Sequence, residues 1–584
     1  MNILLVSLNT KYVHSNLAIR YIREYCKELP VNINVEEYTI NQHVEDIVGE
    51  IFRSEYDVIC FSVYIWNLEE NMRVAEMIKD LNPSIKIVMG GPEVSYDAIQ
   101  LLEKHPYVDV IMRGEGEKTA FEFLKSINKN ESLDLVKGIT YRTESDIIEN
   151  DERILISDLS TIPFPYTELE LKNFENKIVY YESSRGCPFN CAFCLSSTIR
   201  GLRYFNLDRV KSDLSKLLKA KVKQIKFVDR TFNASKNHAK EIMAYIIEND
   251  NKHTNVHFEI TAHLVDDEFL NLLDKAPVGL FQLEIGVQTT NEDTISAIHR
   301  TTDFKQLSEV VKKINDIGKA HQHLDLIAGL PYEDYDSFGR SFDDVYKLEP
   351  DKIHLGFLKL LKGSSLRQKA KEHGYKFSKH PVYEVYENKY MSFKEFRRLK
   401  IIEDLVEKYG NERRFYHSLE FLINRYKIRP FELFEKLSEY WLKQEYHLIQ
   451  HGLKRLYEIL AEFYECEFCN DLELFKEILK FDYMKTQNGK LLKENKLDKI
   501  FNQQKHDFLK DEDYRNKYLS EYKEIPVKKL INIVTIEKFK YDIINLIENK
   551  YQILESENVV YLFSKQGGYL KYEICTVENI SFFF

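Results

Sequence analysis

The sequence contains no run approaching the roughly 20 uninterrupted apolar residues that a helix needs to cross a bilayer. Its first residues, M-N-I-L-L-V-S-L-N, are apolar over too short a stretch and lack a preceding basic group, so they read as a first strand and not as a signal peptide. A cytoplasmic setting is expected. Proline and glycine are modest, 13 and 21 of 584 residues; with 44% hydrophobic and 30% charged residues this excludes collagen-like structure and wholesale disorder. No internal repeat is present. An excess of positive charge is also missing: 82 Lys and Arg face 93 Asp and Glu, a formal charge of −11. General attraction to phosphate backbones or anionic membrane is therefore absent, and neither nucleic acid nor membrane is an expected partner. Cysteines are few, eight in all, yet Cys187, Cys191 and Cys194 fall within eight residues. In a reducing compartment such crowding points to metal binding or catalysis more than to disulfides.

The length corresponds to three or four domains of ordinary size. Over residues 1–130, β-rich runs (I-L-L-V-S-L, V-I-C-F-S-V-Y-I, I-K-I-V-M, V-D-V-I-M) alternate with helical patterns, which predicts an α/β, doubly wound, Rossmann-like parallel sheet. Ligands of such sheets bind beyond the carboxyl ends of the strands. Three polar or Gly-rich loops stand there: L-N-T-K-Y-V-H-S-N, G-G-P-E at 90–93 and G-E-G-E at 114–117. Residues 131–176, with I-P-F-P-Y, read as a linker after a small strand extension. A second β/α series over 177–375 predicts a partial β/α barrel of six units, with its chemistry at the carboxyl ends of the strands. Residues 376–584 change to amphipathic helices rich in Glu, Lys, Tyr and Leu, ending in a hairpin expected around Gly567 and Gly568.

The strongest motif is S-S-R-G-C-P-F-N-C-A-F-C, in which Cys187, Cys191 and Cys194 are spaced C-x3-C-x2-C directly after the first barrel strand. Three thiolates from one loop can hold three irons of a cubane, leaving the fourth iron open. A zinc knuckle would want a fourth Cys or His nearby, and none lies within ten residues downstream. This spacing, with Phe193 before the last cysteine, resembles the radical S-adenosylmethionine (SAM) superfamily. The resemblance implies a 4Fe-4S cluster whose open iron chelates SAM, and cleavage of SAM to a 5'-deoxyadenosyl radical that abstracts hydrogen from a substrate. It further implies SAM contacts at Phe193, at Asp229 for the amino group, at Glu284 and Gln288 for the ribose hydroxyls, at Arg300 for the carboxylate and at Gly329 for the adenine. Salt bridges or a plain turn are the ordinary alternatives for these residues. A flavodoxin- or ferredoxin-like electron donor is the expected partner.

F-S-V-Y-I-W-N, G-G-P-E and G-E-G-E upstream of such a barrel look like the cobalamin-binding class of that superfamily. The contacts so implied are His14, Ser62, Gly90, Gly91 and Gly114, with Glu115 and Glu117 beside them; a capped helix start also accounts for G-E-G-E. Domains that ligate cobalt from below carry D-x-H-x-x-G, whereas this chain has Tyr12 for the Asp and Leu17 for the Gly around His14. His14 thus lacks the carboxylate that would orient its ring. A methylthiotransferase arrangement would need three upstream cysteines, and only Cys26 and Cys60 are there. Cys466 and Cys469 form an isolated C-E-F-C, read as two ordinary thiols in a region resembling an uncharacterised C-terminal domain of some cobalamin-dependent radical SAM proteins. The expected function is radical SAM chemistry with cobalamin, foremost methyl transfer to an unactivated carbon. Alternatives are a cobalamin-dependent cyclase or rearrangement catalyst, and a sensor without turnover.

Overall fold

The computed structural model describes residues 1–198, 201–486, 499–522, 524–530, 534–551, 559–566 and 569–575. The chain packs as two compact units, one of Met1–Ser341, Leu348–Pro350 and Leu355–Phe396, the other of Phe342–Lys347, Asp351–His354 and Arg397–Phe584.

The first unit opens with β1 (Asn2–Asn9), β2 (Asn32–Thr39), β3 (Val58–Ser62), β4 (Lys86–Gly90) and β5 (Val110–Met112), all parallel, in the order β2-β1-β3-β4-β5. Every residue of β1 after Asn2 is buried, as befits a central parallel strand covered on both faces. Helices Leu17–Tyr25 and Gly116–Asn128 cover one face through Ile19, Phe123 and Leu124. Helices Val44–Ile51 and Leu68–Leu81 cover the other through Ile47, Val74 and Ile78. Strand order reverses between β1 and β3, so the crevice between their carboxyl ends is where such a sheet takes a ligand. The stretch expected as a small strand extension and linker, 131–176, contributes β6 (Ile139–Arg142) and β7 (Ile147–Glu149), which extend the sheet antiparallel beyond β5. Buried Ile139 and Tyr141 join the core below β5, which is why these short runs pair instead of linking.

After β8 (Ile178–Tyr181) come two short strands, β9 (Ser184–Arg185) and β10 (Arg203–Tyr204), paired antiparallel across the stretch that holds the cysteines. Then β11 (Gln224–Phe227), β12 (Asn255–Ile260), β13 (Phe281–Gln288), β14 (His321–Ala328) and β15 (Lys352–Phe357) complete a six-stranded sheet in sequential order from β8. This is the partial barrel. Along β14 exposure alternates strictly, with Gln322, Leu324, Leu326 and Ala328 buried and the residues between them half-buried. The first unit runs to Phe396, past the 375 boundary read from the sequence, and carries β16 (Lys376–Phe377) paired with β17 (Val385–Glu387).

The second unit is mainly helical, as its amphipathic pattern predicts. Helices Tyr416–Tyr426, Pro430–Lys443, Leu453–Glu467 and Leu472–Thr486 bury Trp441, Tyr457, Tyr464 and Phe475. Asp482 accepts from the backbone N–H groups of His417 (3.3 Å) and Ser418 (2.8 Å), capping a helix start that lacks a side-chain cap of its own. β18 (Val534–Phe539), β19 (Val559–Gln566) and β20 (Tyr569–Cys575) form an antiparallel sheet. The turn expected at Gly567 and Gly568 lies outside the described residues.

Gly91 shows how tightly the loops at the sheet's carboxyl edge are set. Its φ is +122°, and an added Cβ would sit 2.3 Å from the Val63 carbonyl oxygen. Only a backbone without a side chain lets the β4 turn close over the β3 turn, where Val63 N–H donates to the Gly90 carbonyl at 2.7 Å. Gly91→Ala is expected to cost about 2–4 kcal/mol of stability, read as a fall in thermal midpoint; an unchanged midpoint would show that the two turns yield.

Candidate active site

The cysteine loop is positioned by backbone. Gly186, at φ +98°, leaves β9 so close to the chain that a Cβ would lie 2.1 Å from the Gly201 carbonyl oxygen. Beyond it the Ala192 N–H donates to the Ile298 carbonyl (3.0 Å), while the Ala192 carbonyl accepts from Leu366 N–H (2.9 Å) and Ser365 hydroxyl (3.1 Å). A turn from Cys191 to Cys194, in which Phe193 is half-buried, closes with a 3.1 Å backbone bond. All three thiols are free. Burial pushes the Cys191 thiol pKa up; the Arg300 guanidinium opposes this, and the neighbouring thiols of Cys194 and Cys187 add to it. Ser196 N–H donates to Cys194 Sγ at 3.4 Å, and Thr231 Oγ1 lies 3.7 Å from Cys187 Sγ. Among the described residues no three Cys, His or acidic side chains converge as one ion would require. A cubane asks instead that each thiolate meet its own corner iron, and three thiols on one pinned loop, with a hydrogen bond already aimed at a sulfur, suit that group.

Around this loop the residues read as SAM contacts divide. Arg300 and Gln288 come together beside it. Arg300 donates to the Gly286 carbonyl (2.8 Å) and to Thr302 Oγ1 (3.1 Å), with its third nitrogen 3.9 Å from Cys191 Sγ. Gln288, at φ +71° after a bulge in β13, folds its amide over Gly286, where a Cβ would meet its Nε2 at 2.3 Å. Its Oε1 is buried without a hydrogen-bond partner. A buried orphan acceptor of this kind marks a place where a ligand donor fits.

The other residues are engaged elsewhere. Asp229 is buried and gives its carboxylate to the cysteine loop, accepting from Ser183 N–H (2.9 Å), Ser183 Oγ (2.7 Å) and Ser184 Oγ (2.5 Å). It positions the loop. Glu284 accepts from His257 Nε2 (2.9 Å) and Lys226 Nζ (3.3 Å), and its carboxyl is held at about 2 by the His257 bond and the Lys226 charge against the cost of burial. Gly329, at φ +95°, gives its carbonyl to Tyr375 Oη and Asn388 Nδ2, each at 3.0 Å, and would place a Cβ 2.7 Å from the Phe396 ring. Its lack of a side chain is explained by that ring. Glu333, missed in the sequence, accepts from Thr289 (2.5 Å) and Ser341 (2.9 Å) just beyond Gln288, with burial pushing its carboxyl up to about 7.

The loops of the N-terminal sheet close on the barrel. His14 pairs by backbone bridge with Ile178, and its Nδ1 lies 2.8 Å from Tyr180 Oη on β8. Burial, then Lys11 and Lys226, lower its pKa. Tyr180, 166 positions away, supplies the orienting partner that residue 12 does not. Ser62 is buried and accepts from Asn16 Nδ2 at 3.0 Å. Gly90 has ordinary room for a Cβ and Gly91 none, while Gly114, at φ +74°, has open space around it.

Glu115 and Glu117 prove to be ion-pair partners. Glu115 meets Arg203 at 2.8 Å and Arg185 at 3.4 Å, and Glu117 meets Arg185 at 2.5 Å. Arg185, two residues before Cys187 and mostly buried, also pairs with Glu182 at 2.7 Å and lies over the Tyr21 ring. A guanidinium so buried needs carboxylates more than these carboxylates need another ligand.

A set of rings lies at the same edge, Tyr64 and Trp66 inside the F-S-V-Y-I-W-N run and Tyr12 inside the first loop, none of them singled out in the sequence as a contact. Tyr64 and Trp66 stack with centroids 4.5 Å apart, and Tyr12, Trp66 and Tyr96 are exposed on the loops after β1, β3 and β4. A flat, largely apolar macrocycle fits such a rim. Their signal was local, large aromatics in loops that should be polar. Cys466 and Cys469 are exposed, with Cys469 Sγ donating to the Glu465 carbonyl at 3.0 Å.

Comparison with known proteins matches three stretches of the chain to family models. Residues 3–124 match the B12 binding domain, residues 181–345 the radical SAM superfamily, and residues 371–563 a protein family of unknown function, DUF4080. An uncharacterized methyltransferase of Pyrococcus horikoshii, PH0819, is 27% identical over 315 residues, 52% of this chain and 67% of that protein. The cobalamin-dependent radical SAM methyltransferase TokK of Streptomyces tokunonensis is 26% identical over 315 residues, 49% of this chain but only 44% of that protein. The anaerobic magnesium-protoporphyrin IX monomethyl ester cyclase of Rubrivivax gelatinosus is 23% identical over 301 residues, 49% of this chain and 52% of that protein. Among solved structures, the radical SAM methyltransferase TsrM of Kitasatospora setae, with cobalamin and a 4Fe-4S cluster bound, superposes with a TM-score of 0.56 at 16% identity over 65% of this chain and 78% of that one. The cobalamin-dependent radical enzyme OxsB with aqua-cobalamin gives 0.60 at 14% identity over 83% and 81%. At these identities the structures show the fold.

Anaerobic reconstitution is expected to load one 4Fe-4S cluster per chain, and Cys191→Ala to lose it, read as iron and sulfide content and the visible absorption of the cluster. Two clusters per chain, or full retention in the variant, would refute the ligand set.

Proposed function

We propose that this chain, a radical SAM enzyme with a B12-binding domain, transfers a methyl group to an unactivated carbon of its substrate. Its cofactors are a 4Fe-4S cluster, SAM and cobalamin. The observation that carries the reading is the direct locking of the cysteine loop to the N-terminal sheet, Arg185 to Glu115 and Glu117, with His14 reaching Tyr180 on β8. The loops at the two sets of strand ends are thereby held together. When bound, the cluster and SAM supply a deoxyadenosyl radical, and cobalamin supplies the methyl group.

The chain's own residues supply placement. Arg300 offers a fork suited to a carboxylate beside Cys191, and Gln288 offers its unpaired Oε1 to a donor. Asp229 fixes the loop that carries the thiols. Gly114, whose surroundings are open, lets a ligand approach the backbone, and the Tyr64–Trp66 stack offers a flat apolar face. A small flavodoxin- or ferredoxin-like protein is the proposed source of electrons. No helix among the described residues is long and apolar enough to cross a membrane. A radical cyclization or rearrangement is the second reading, supported by the likeness to the magnesium-protoporphyrin cyclase.

Product analysis separates the two readings. With reductant, cobalamin and substrate extract, methyl transfer is expected to yield 5'-deoxyadenosine together with S-adenosylhomocysteine; deoxyadenosine alone would favour the second reading, and neither product would sink both. His14 is proposed to line the cobalamin site without ligating cobalt, because no carboxylate orients its ring and its backbone is tied to β8. Paramagnetic resonance of the cob(II)alamin form is expected to lack nitrogen splitting from His14. Splitting that disappears in His14→Ala would make it the lower ligand.

A further inference from the structure

One segment reverses the charge of the chain. Across the whole sequence acidic residues outnumber basic ones, 93 to 82, yet residues 358–396 hold nine Lys and Arg against four Asp and Glu. Most of these basic side chains are exposed. Lys362 and Lys376 are used in ion pairs, with Glu93 and with Glu387. Lys369, Lys371 and Lys389 are exposed and form no ion pair with a described residue. They gather on one spot. Lys389 lays its stem against Gly374, where an added Cβ would meet its Cγ at 2.9 Å. Burial lowers the pKa of His373, Glu372 opposes the shift, and the charges of Lys369 and Lys389 add to it, so both cations flank that ring. Lys371 lies in the turn between them, its carbonyl accepting from Gly374 N–H at 3.2 Å.

Rings stand among these charges. Tyr332, from the turn after β14, packs on His373 with centroids 5.6 Å apart and on Tyr390 at 5.1 Å, and it is exposed. Cations around an exposed aromatic ring suit an acidic partner with an apolar edge. The rest of the chain carries the whole of the negative excess and does not attract such a partner. Backbone joins the patch to the cysteine loop. The helix Ser365–Gln368, which runs into the turn of Lys369 and Lys371, donates from Leu366 N–H (2.9 Å) and Ser365 Oγ (3.1 Å) to the Ala192 carbonyl, between Cys191 and Cys194. A protein seated on the patch stands one turn of chain from the loop that bears the thiols.

We propose that the electron donor docks here, and that it is a flavodoxin-type carrier whose acidic surface meets Lys369, Lys371 and Lys389 and whose exposed flavin edge meets Tyr332. An iron-sulfur carrier wraps its cluster in backbone and offers no such apolar edge, which is why a flavin protein is the occupant named. The inference rests on the radical SAM reading, which asks for an electron, and goes beyond it in giving this chain a surface that receives one. In the transfer one electron leaves the anionic flavin hydroquinone, which becomes the neutral semiquinone, and the cluster passes from its oxidised to its reduced state. No proton moves and no bond breaks.

The test uses the full chain, reconstituted with its cluster, and a bacterial flavodoxin. Two quantities are measured at low ionic strength: the affinity for labelled oxidised flavodoxin, read by fluorescence anisotropy, and the second-order rate of cluster bleaching by flavodoxin hydroquinone. Lys369→Glu/Lys371→Glu/Lys389→Glu is expected to lower both about tenfold. At about 0.5 M salt, where such charges are screened, wild type and variant are expected to converge. Lys305→Glu/Lys312→Glu, exposed on the helix Phe304–Ile317, is expected to change neither. Bleaching of every variant to the same extent by dithionite checks that each is loaded. Equal values in the triple variant, an equal loss in the control variant, tighter binding of an acidic ferredoxin, or a patch that takes up RNA in place of flavodoxin overturns the inference. Absence of deoxyadenosine from SAM under dithionite overturns the radical reading beneath it, whatever flavodoxin does.

Discussion

Everything at the site hangs on the burial of one guanidinium. Arg185 sits between the first barrel strand and Cys187, with its side chain only 12% exposed. A charge taken that far from water is stable only among carboxylates, and three are supplied: Glu182 from its own strand end, Glu115 and Glu117 from the N-terminal sheet. Such an arrangement returns little net stability, because desolvating each ion consumes most of the attraction. What it gives is specificity of placement. Removing the guanidinium leaves buried carboxylates uncompensated, a loss of about 3–5 kcal/mol, so the cysteine loop has one docking position against the sheet.

The same loops are held from their other side by the segment that follows β15. Lys362 pairs with Glu93 of the G-G-P-E loop at 3.0 Å, and the Tyr383 hydroxyl donates to the same carboxylate. Leu366 N–H bonds Ala192 inside the cysteine loop, and Tyr375 and Asn388 bond Gly329. Loops on a sheet edge are ordinarily its most mobile parts. Here three of them share one strap, and the ordering cost of each is met in folding before a ligand arrives.

How much of this was written locally decides how much could be read. The β/α alternation was legible because buried parallel strands appear as continuous apolar runs, as in I-L-L-V-S-L. The thiols were legible because one short loop holds all three. Glu115 and Glu117 were not, since G-E-G-E looks like a ligand loop until Arg185, 68 positions from Glu117, is folded onto it. Asp229 and Gly329 stand where motif spacing puts them, yet their bonds go to Ser183, Ser184, Tyr375 and Asn388. Strands β6 and β7 correspond to the small strand extension read there, but at four and three residues long they were too short for periodicity to place.

The two glutamates Glu259 and Glu284 bring this limit to its sharpest form. They lie directly across from one another on adjacent strands, with the same parity and the same chemistry, and a motif gives prominence only to Glu284. Their environments divide them. His257 and Lys226 hold Glu284 ionised, at about 2, whereas burial without a hydrogen-bond donor drives Glu259 to about 7. Identical groups thus acquire separate proton affinities from their surroundings alone. The carboxylate already satisfied by its neighbours is part of the wall, and what separates the pair is environment and not residue type.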